Sequence, residues 1–271
     1  MIYPVDLHTH SRASDGQYKP SELVHLAKER DIQLLALTDH DTLDGLEEAV
    51  ETGKQIGVQV LPGIEMSARE YHTFHILGYC FSLEDSPLAK KSRKLQGGRN
   101  DRALRIIKYL QERSMPIELE EVRNAADGGV IGRPHFARLM LDKGYISSYR
   151  EAFDRYLDTD EYHAEVEDKP PVSECMDAIK SSGGTVSLAH PYQIGLDNDA
   201  LDMLVRRLVD MGLDAIECYY PKHTLQQTAF YLELAKKYDL HITGGSDFHG
   251  ERVKPEVELA RLELELEWLL N

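Results

Sequence analysis

Cysteine is scarce in this chain, and its basic residues are outnumbered. Three cysteines, Cys80, Cys175 and Cys218, occur in 271 residues, an odd number without CxxC spacing. Neither a disulfide framework nor a zinc knuckle fits that pattern, and a reducing cytoplasm is the compartment it implies. No stretch approaches the ~18 consecutive apolar residues of a membrane span. The opening Met1-Ile2-Tyr3-Pro4-Val5-Asp6 also lacks the basic-then-apolar order of a signal peptide. Lys+Arg number 31 against 47 Asp+Glu, a formal net charge of −16. Proteins that coat nucleic acid need a basic face to displace counterions, and this balance argues against one.

What is present is an ordinary apolar fraction, 42%, with 29% charged residues, enough for a sizeable core. At about 150 residues per domain the length allows one large domain or two small ones. An α/β barrel of roughly 250 residues would use it as one. Short apolar runs alternate with helical patterns. Gln33 to Thr38 reads as a buried strand, with Asp41-Thr42 capping a helix that Gly57 stops, and Val58 to Ile64 is the next strand. Upstream, Pro20 opens a helix. Downstream, a helix carrying Val172, Met176 and Ile179 precedes the strand Thr185 to Ala189. A helix from Leu201 to Leu208 leads into the strand Leu213 to Tyr219. Thr224 caps a helix before the strand His241 to Gly244. Such alternation predicts parallel strands covered by helices. From about Ser82 to Lys169 the chain is polar, helical and without a convincing strand, which predicts an insertion in one βα loop. The expected division is 1–84 with 166–271 for the barrel and 85–165 for a helical cap over the active site. The segment Leu259 to Leu270 fits either helix or strand.

Histidines and acids gather where these strands end. His8 and His10 close the first, with Asp15 just beyond; His40 follows the second and Glu65 the third. His75 lies in the run His75 to Tyr79, His190 follows a later strand, and Asp247 and His249 close the last. In an HxH pair on an extended chain both imidazoles face one side, and the rim of a parallel barrel gathers such ends around one cavity. Nine ligand-type residues exceed what one divalent ion takes. Imidazole mixed with carboxylate suits zinc, manganese or iron, and carboxylates can bridge ions. Closely spaced metals are a recurrent apparatus for displacement at phosphorus. A multinuclear hydrolase is therefore expected from the residues alone. Each element also has a plainer reading: Asp39, Asp41 and Thr42 as a helix cap, Glu65 as a loop acid, His75 as a core histidine, His190 before Pro191 as a turn. Five separate strand ends carrying the same ligand types weigh against chance.

The ordered set DLHTHS (Asp6–Ser11), SDG (Ser14–Gly16), TDHD (Thr38–Asp41), GIE (Gly63–Glu65), AHP (Ala189–Pro191) and SDFHG (Ser246–Gly250) resembles the PHP family, the polymerase and histidinol phosphatase domain. The resemblance spans residues 1 to about 250. It implies a distorted (β/α)7 barrel holding three divalent metals, manganese first, with zinc or iron as alternatives. Carried over by position, His8, His10, Glu65 and Asp247 would hold one metal. Glu65 would bridge to a second, held also by His75 and His190, while Asp15, His40 and His249 would hold the third. A hydroxide bridging the metals would be the nucleophile.

Gly132 to Ala137, together with Tyr219 to His223, resembles the branch of that family with nucleoside 3′,5′-bisphosphate phosphatases and small 5′-3′ exonucleases. Arg133 offers the planar fork a phosphate takes, His135 a further donor, and Arg99, Arg102 and Arg105 a basic helical face. His223 is a candidate to protonate the leaving alkoxide. Set against these roles, Arg133 and His135 can simply start a helix at Pro134, and the other charges can be solvated. The expected activity is hydrolysis of the 3′-phosphate of a bisphosphate such as pAp, with 5′-3′ cleavage of short RNA or DNA ends in the same site. No membrane or obligate protein partner is expected. The alternatives are a histidinol-phosphate or other small-molecule phosphatase, a two-metal amidohydrolase with no role for Asp15, His40 and His249 together, and a non-catalytic metal-binding module of a larger assembly.

Overall fold

This computed structural model describes residues 2–71, 73–84, 86–126, 131–166 and 169–270. Two compact units emerge, Met1–Ser92 with Pro170–Asn271, and Arg93–Lys169.

The first unit is a nearly closed eight-stranded sheet. Its strands are β1 (Ile2–Thr9), β2 (Leu34–Leu37), β3 (Gln59–Ala68), β4 (Phe74–Tyr79), β5 (Thr185–Leu188), β6 (Ala215–Tyr219), β7 (His241–Gly244) and β8 (Leu262–Glu265). The order is β7-β6-β5-β4-β3-β2-β1-β8. Closure comes from the segment after β7: Asp247 N donates to His8 O at 2.7 Å and His10 N to Phe248 O at 2.9 Å. The helices α1 (Pro20–Glu29) and α2 (Leu46–Ile56) cross between the first three strands. The helices α3 (Pro87–Glu112), α4 (Leu119–Ala126), α5 (Arg133–Asp142), α6 (Tyr149–Ala152) and α7 (Asp160–Val166) precede α8 (Val172–Lys180). Beyond them come α9 (Asn198–Asp210), α10 (Leu225–Lys237) and α11 (Glu267–Leu270). This is the TIM-like α/β fold expected.

Four local expectations need correction or completion. The strands are not all parallel, because β4 runs antiparallel to both β3 and β5. Only residues 69–73 join β3 to β4, too few for a crossover, so the chain must turn back on itself. Glu65 consequently lies within β3 and not at its end. The second correction concerns Asp41-Thr42. The cap of α2 is Gly45, and Asp41, at φ 52°, uses its carboxylate to accept the Ser67 amide at 3.0 Å. Third, His190 before Pro191 is not extended but at φ 22°. Last, the C-terminal segment is both strand and helix. β8 pairs antiparallel with the start of β1. Leu264, Leu266 and Leu269 then pack with Val5, Leu7, Leu34, Ala36 and Leu77 in one buried cluster. Burial of that apolar surface fixes the strand frame and leaves the opposite strand ends to polar side chains. The Thr224 cap matches expectation, with a reciprocal capping box to Gln227.

The second unit is helical, and no strand occurs among its described residues. It has its own core, including Ile106, Leu110, Phe136, Met140 and Tyr162.

Candidate metal centre

Two buried carboxylates that do not face the site shape the loops that carry it. Asp6 accepts from Ser246 N (2.9 Å), Ser246 Oγ (2.6 Å) and Ala260 N (2.9 Å), tying the exit of β7 to β1. Burial raises its pKa to about 6, against those hydrogen bonds. Asp39 accepts from Ser11 N at 2.8 Å and Ser11 Oγ at 2.6 Å, and also from Ser14 Oγ, which folds the Ser11–Gly16 turn back over the end of β1. That turn delivers Asp15. A Cβ on Gly16 would lie 2.4 Å from His10 O, so only glycine permits the approach.

Glu65 is the hub, fully buried at the centre of five imidazoles. Its Oε1 lies 2.8 Å from His75 Nδ1 and 2.9 Å from His190 Nε2. Its Oε2 lies 3.0 Å from His40 Nδ1, 3.2 Å from His10 Nε2 and 3.4 Å from His8 Nε2. Asp247 Oδ1 is 3.2 Å from His10 Nε2 and 3.7 Å from His8 Nε2. Asp15 closes the other side, 3.3 Å from His249 Nε2, 3.9 Å from His40 Nε2 and 4.0 Å from His10 Nδ1. Three groups have ligand atoms close enough for one ion: His8, His10, Glu65 and Asp247; His10, Asp15, His40 and His249; and His40, Glu65 and His75. All nine expected residues are brought together. The grouping is more shared than the resemblance implied, because His40 offers one nitrogen to the Glu65 side and the other to Asp15. His190 reaches the cluster through Glu65 and His75, the latter 3.3 Å away.

The electrostatics are those of a donor set awaiting cations. Burial opposes the charged form of His8, but Glu65, Glu217 and Asp247 outweigh it and hold its pKa well above the usual value. For His10 burial is likewise outweighed, by Asp247 and Glu65, and its pKa rises to about 9. Burial dominates at His75 and His249, pushing both down to about 4. Glu65, Asp15 and Asp247 are held well below the carboxylate range, their burial overcome by the neighbouring imidazoles and, for Asp247, by Lys254 first. Several buried atoms have no hydrogen-bond partner: His8 Nε2, both nitrogens of His10, His40 Nδ1, His190 Nδ1 and Glu65 Oε2. Orphaned buried polar atoms are costly, and divalent cations would satisfy those that face one another across the cluster, His8 Nε2, His10 Nε2, His40 Nδ1 and Glu65 Oε2. The residues fit a metal, and their imidazole–carboxylate mix fits zinc, manganese or iron.

The PHP domain family model matches residues 6–167. The chain belongs to the PHP family. Among PHP relatives, the 5′-3′ exoribonuclease Rnm of Escherichia coli (strain K12) is 33% identical over 263 residues, covering 94% of this chain and 88% of its own. The 3′,5′-nucleoside bisphosphate phosphatase of Chromobacterium violaceum is 30% identical over 255 residues, covering 91% of this chain and 87% of its own. A solved structure from Bifidobacterium adolescentis, described as a metal-dependent phosphoesterase, superposes with a TM-score of 0.84 at 28% identity, covering 98% of this chain and 95% of that one.

Around these nine residues lie others to which the sequence assigned no individual role. Glu217, fully buried on β6, accepts from His190 N at 2.7 Å and sits 3.1 Å from His8 Nδ1. Tyr220 OH (2.9 Å) and Lys254 Nζ (2.7 Å) both hold Asp247 Oδ2, leaving Oδ1 to the histidines. A lone acid in the apolar strand Ala215–Tyr219 was the readable signal for Glu217. Nothing comparable marked Lys254. His223 sits among Tyr192, Tyr220 and Tyr231, its Nδ1 3.0 Å from Cys218 O. Burial lowers its pKa.

The remaining expected residues belong to the helical unit. Arg133 and His135 open α5, preceded by the cap Gly132, whose amide donates to His135 Nδ1 at 2.9 Å. Arg133 pairs with Asp158 and donates to Leu157 O at 3.2 Å. Arg105 donates to Val166 O, and Arg102 is half-buried on α3. The side chain of Arg99 lies outside the described residues. No helix among the described residues is long and apolar enough to cross a membrane.

Proposed function

We propose that this PHP-family phosphoesterase hydrolyses the 3′-phosphate of a nucleoside 3′,5′-bisphosphate such as pAp, and takes the 5′ ends of short oligonucleotides in the same site. The observation that carries the reading is the Glu65 hub, whose two oxygens face two different sets of histidines. A carboxylate so placed suits a bridge between ions. We assign three ions, manganese first, to His8, His10, Glu65 and Asp247; to Glu65, His75 and His190 with His40 at their edge; and to Asp15, His40 and His249. Bound metals supply an activated water near neutral pH and positive charge for the phosphoryl oxygens. The substrate class follows the two relatives, one named for a bisphosphate and one for RNA ends.

The chain's own residues then have distinct tasks. Asp15, Glu65 and Asp247 bring three negative charges against about six positive, so the site keeps a surplus that draws in a small polyanion. The −16 exterior meanwhile discourages long polymer from coating the surface. Arg133 and His135 are assigned to the phosphate that is not cleaved, with Arg99 and Arg102 as further basic groups. His223 suits the leaving-group proton less well than its sequence position suggests. Its Nδ1 hydrogen points at Cys218 O, so donation would require a second proton on Nε2, against the lowered pKa. A cytoplasmic location accords with the composition.

The test is product identity. Manganese-loaded protein should convert pAp to 5′-AMP and inorganic phosphate, and should shorten 5′-phosphorylated oligonucleotides from that end. Release of 3′-AMP, or faster turnover of histidinol phosphate than of pAp, would refute the assignment.

A further inference from the structure

The strand β6 contributes no residue to the nine ligands, yet it carries a fully buried carboxylate between two of them. Glu217 lies in the run Ala215-Ile216-Glu217-Cys218, flanked by β5 and β7. A carboxylate there is costly unless both oxygens are satisfied. Its hydrogen-bond partners are His8 Nδ1 (3.1 Å) and the His190 amide (2.7 Å), one on each oxygen. The first comes from the end of β1 and the second from the turn after β5.

From these contacts we propose that Glu217 is a positioning residue for the metal centre, acting on His8 and His190 at once. The proposal rests on the metal assignment above. To meet Glu217 Oε1, His8 must keep a proton on Nδ1, so the proton it gives up when a metal binds is the one on Nε2, whose lone pair then becomes the ligand. Nε2 is the atom that faces Glu65 Oε2 and Asp247 Oδ1, and it has no hydrogen-bond partner. A histidine ligand whose other nitrogen donates to a carboxylate is held in one tautomer and one orientation. At His190 the effect is on the backbone. This residue sits at φ 22°, ψ 66°, although a residue before proline is normally extended. The hydrogen bond that the His190 amide donates to Glu217 Oε2 stabilises that turn, which places His190 Nε2 2.9 Å from Glu65 Oε1.

Glu217→Gln separates these roles from simple space-filling. The side chain keeps its shape but has one acceptor oxygen and one amide donor, while both partners present N–H groups. One contact must therefore become donor against donor, or the His8 proton must move to Nε2, where it blocks coordination. Chelator-competition titration of the full chain with zinc and with manganese should show binding at one or more sites weakened about 10- to 100-fold in the variant. Nitrogen-15 imidazole spectra of the zinc-loaded wild type should place the His8 proton on Nδ1, hydrogen-bonded and slow to exchange. That second measurement decides the matter if the variant does not fold. The proposal is overturned if Glu217→Gln binds metal within twofold of wild type, or if the wild-type His8 proton sits on Nε2. A wild type that binds metals but leaves pAp intact would sink the substrate reading alone and leave the Glu217 effect standing. A wild type that binds no metal overturns both.

Discussion

At the scale of single residues, the site is a balance between burial and pairing that differs from one histidine to the next. His8 and His10 are held in their charged form by the acids around them, whereas His75 and His249 are driven neutral by burial. In metal-free protein at pH 7 His10 is therefore protonated, with His8 shifted in the same direction, while His75 and His249 are neutral. Loading must displace protons from His8 and His10, so metal affinity should rise with pH until about 9. The stability sign is fixed by the same shift. His10 moves up from an unfolded value near 6.5, so its contribution is complete below pH 6.5 and is lost as pH climbs through about 9. Melting curves of metal-free protein should fall between pH 7 and 10, while those of loaded protein stay nearly flat. Parallel slopes for the two forms would show that these histidines are not where the metal binds. That these nine residues would lie close together was legible in the sequence because residues of one chemical type recurred at successive strand ends. Glu217 and Lys254 were not, since a lone acid in a strand or a lone lysine in a loop reveals its role only once another segment is folded against it.

Secondary-structure elements matter here as carriers of direction. Helices such as α1 and α10 were readable from Pro20 and from the Thr224 cap, which are local signals. The reversal of β4 was not, because strand direction depends on what a five-residue connection permits and not on the apolar pattern of Phe74–Tyr79. That reversal places His75 on a strand paired with β3, where it meets Glu65. The β1–β7 junction is the other critical element contact. A Cβ on Gly245 would lie 2.4 Å from His8 Cβ and 2.5 Å from His8 N, and neither can move without shifting β1. Gly245→Ala should cost about 1–3 kcal/mol, the usual range for overpacking, and should weaken metal binding by moving Asp247 away from His8 and His10. Denaturant unfolding of the metal-free variant measures the first effect and metal titration the second. Wild-type values in both would mean that this close approach does not set the site.

For the whole molecule, composition and chemistry point in opposite directions until the site is considered separately. A net charge of −16 speaks against a nucleic-acid-coating surface, while five histidines and three acids form a cluster suited to phosphate chemistry, with His190 joined to it through Glu65 and His75. Family membership resolves this in favour of a phosphoesterase. The sequence shows a break in β-α alternation from about Ser82 to Lys169, and the compact units of the structure meet at Ser92/Arg93 and Lys169/Pro170. The proposed phosphoesterase activity requires several metals acting together around Glu65. Stepwise addition of manganese to metal-free protein, with phosphate release from pAp read at each step, tests it most directly. Activity should plateau at three equivalents of manganese per chain, with 5′-AMP as the product. A plateau at one equivalent, or full activity in the metal-free protein, would contradict the account.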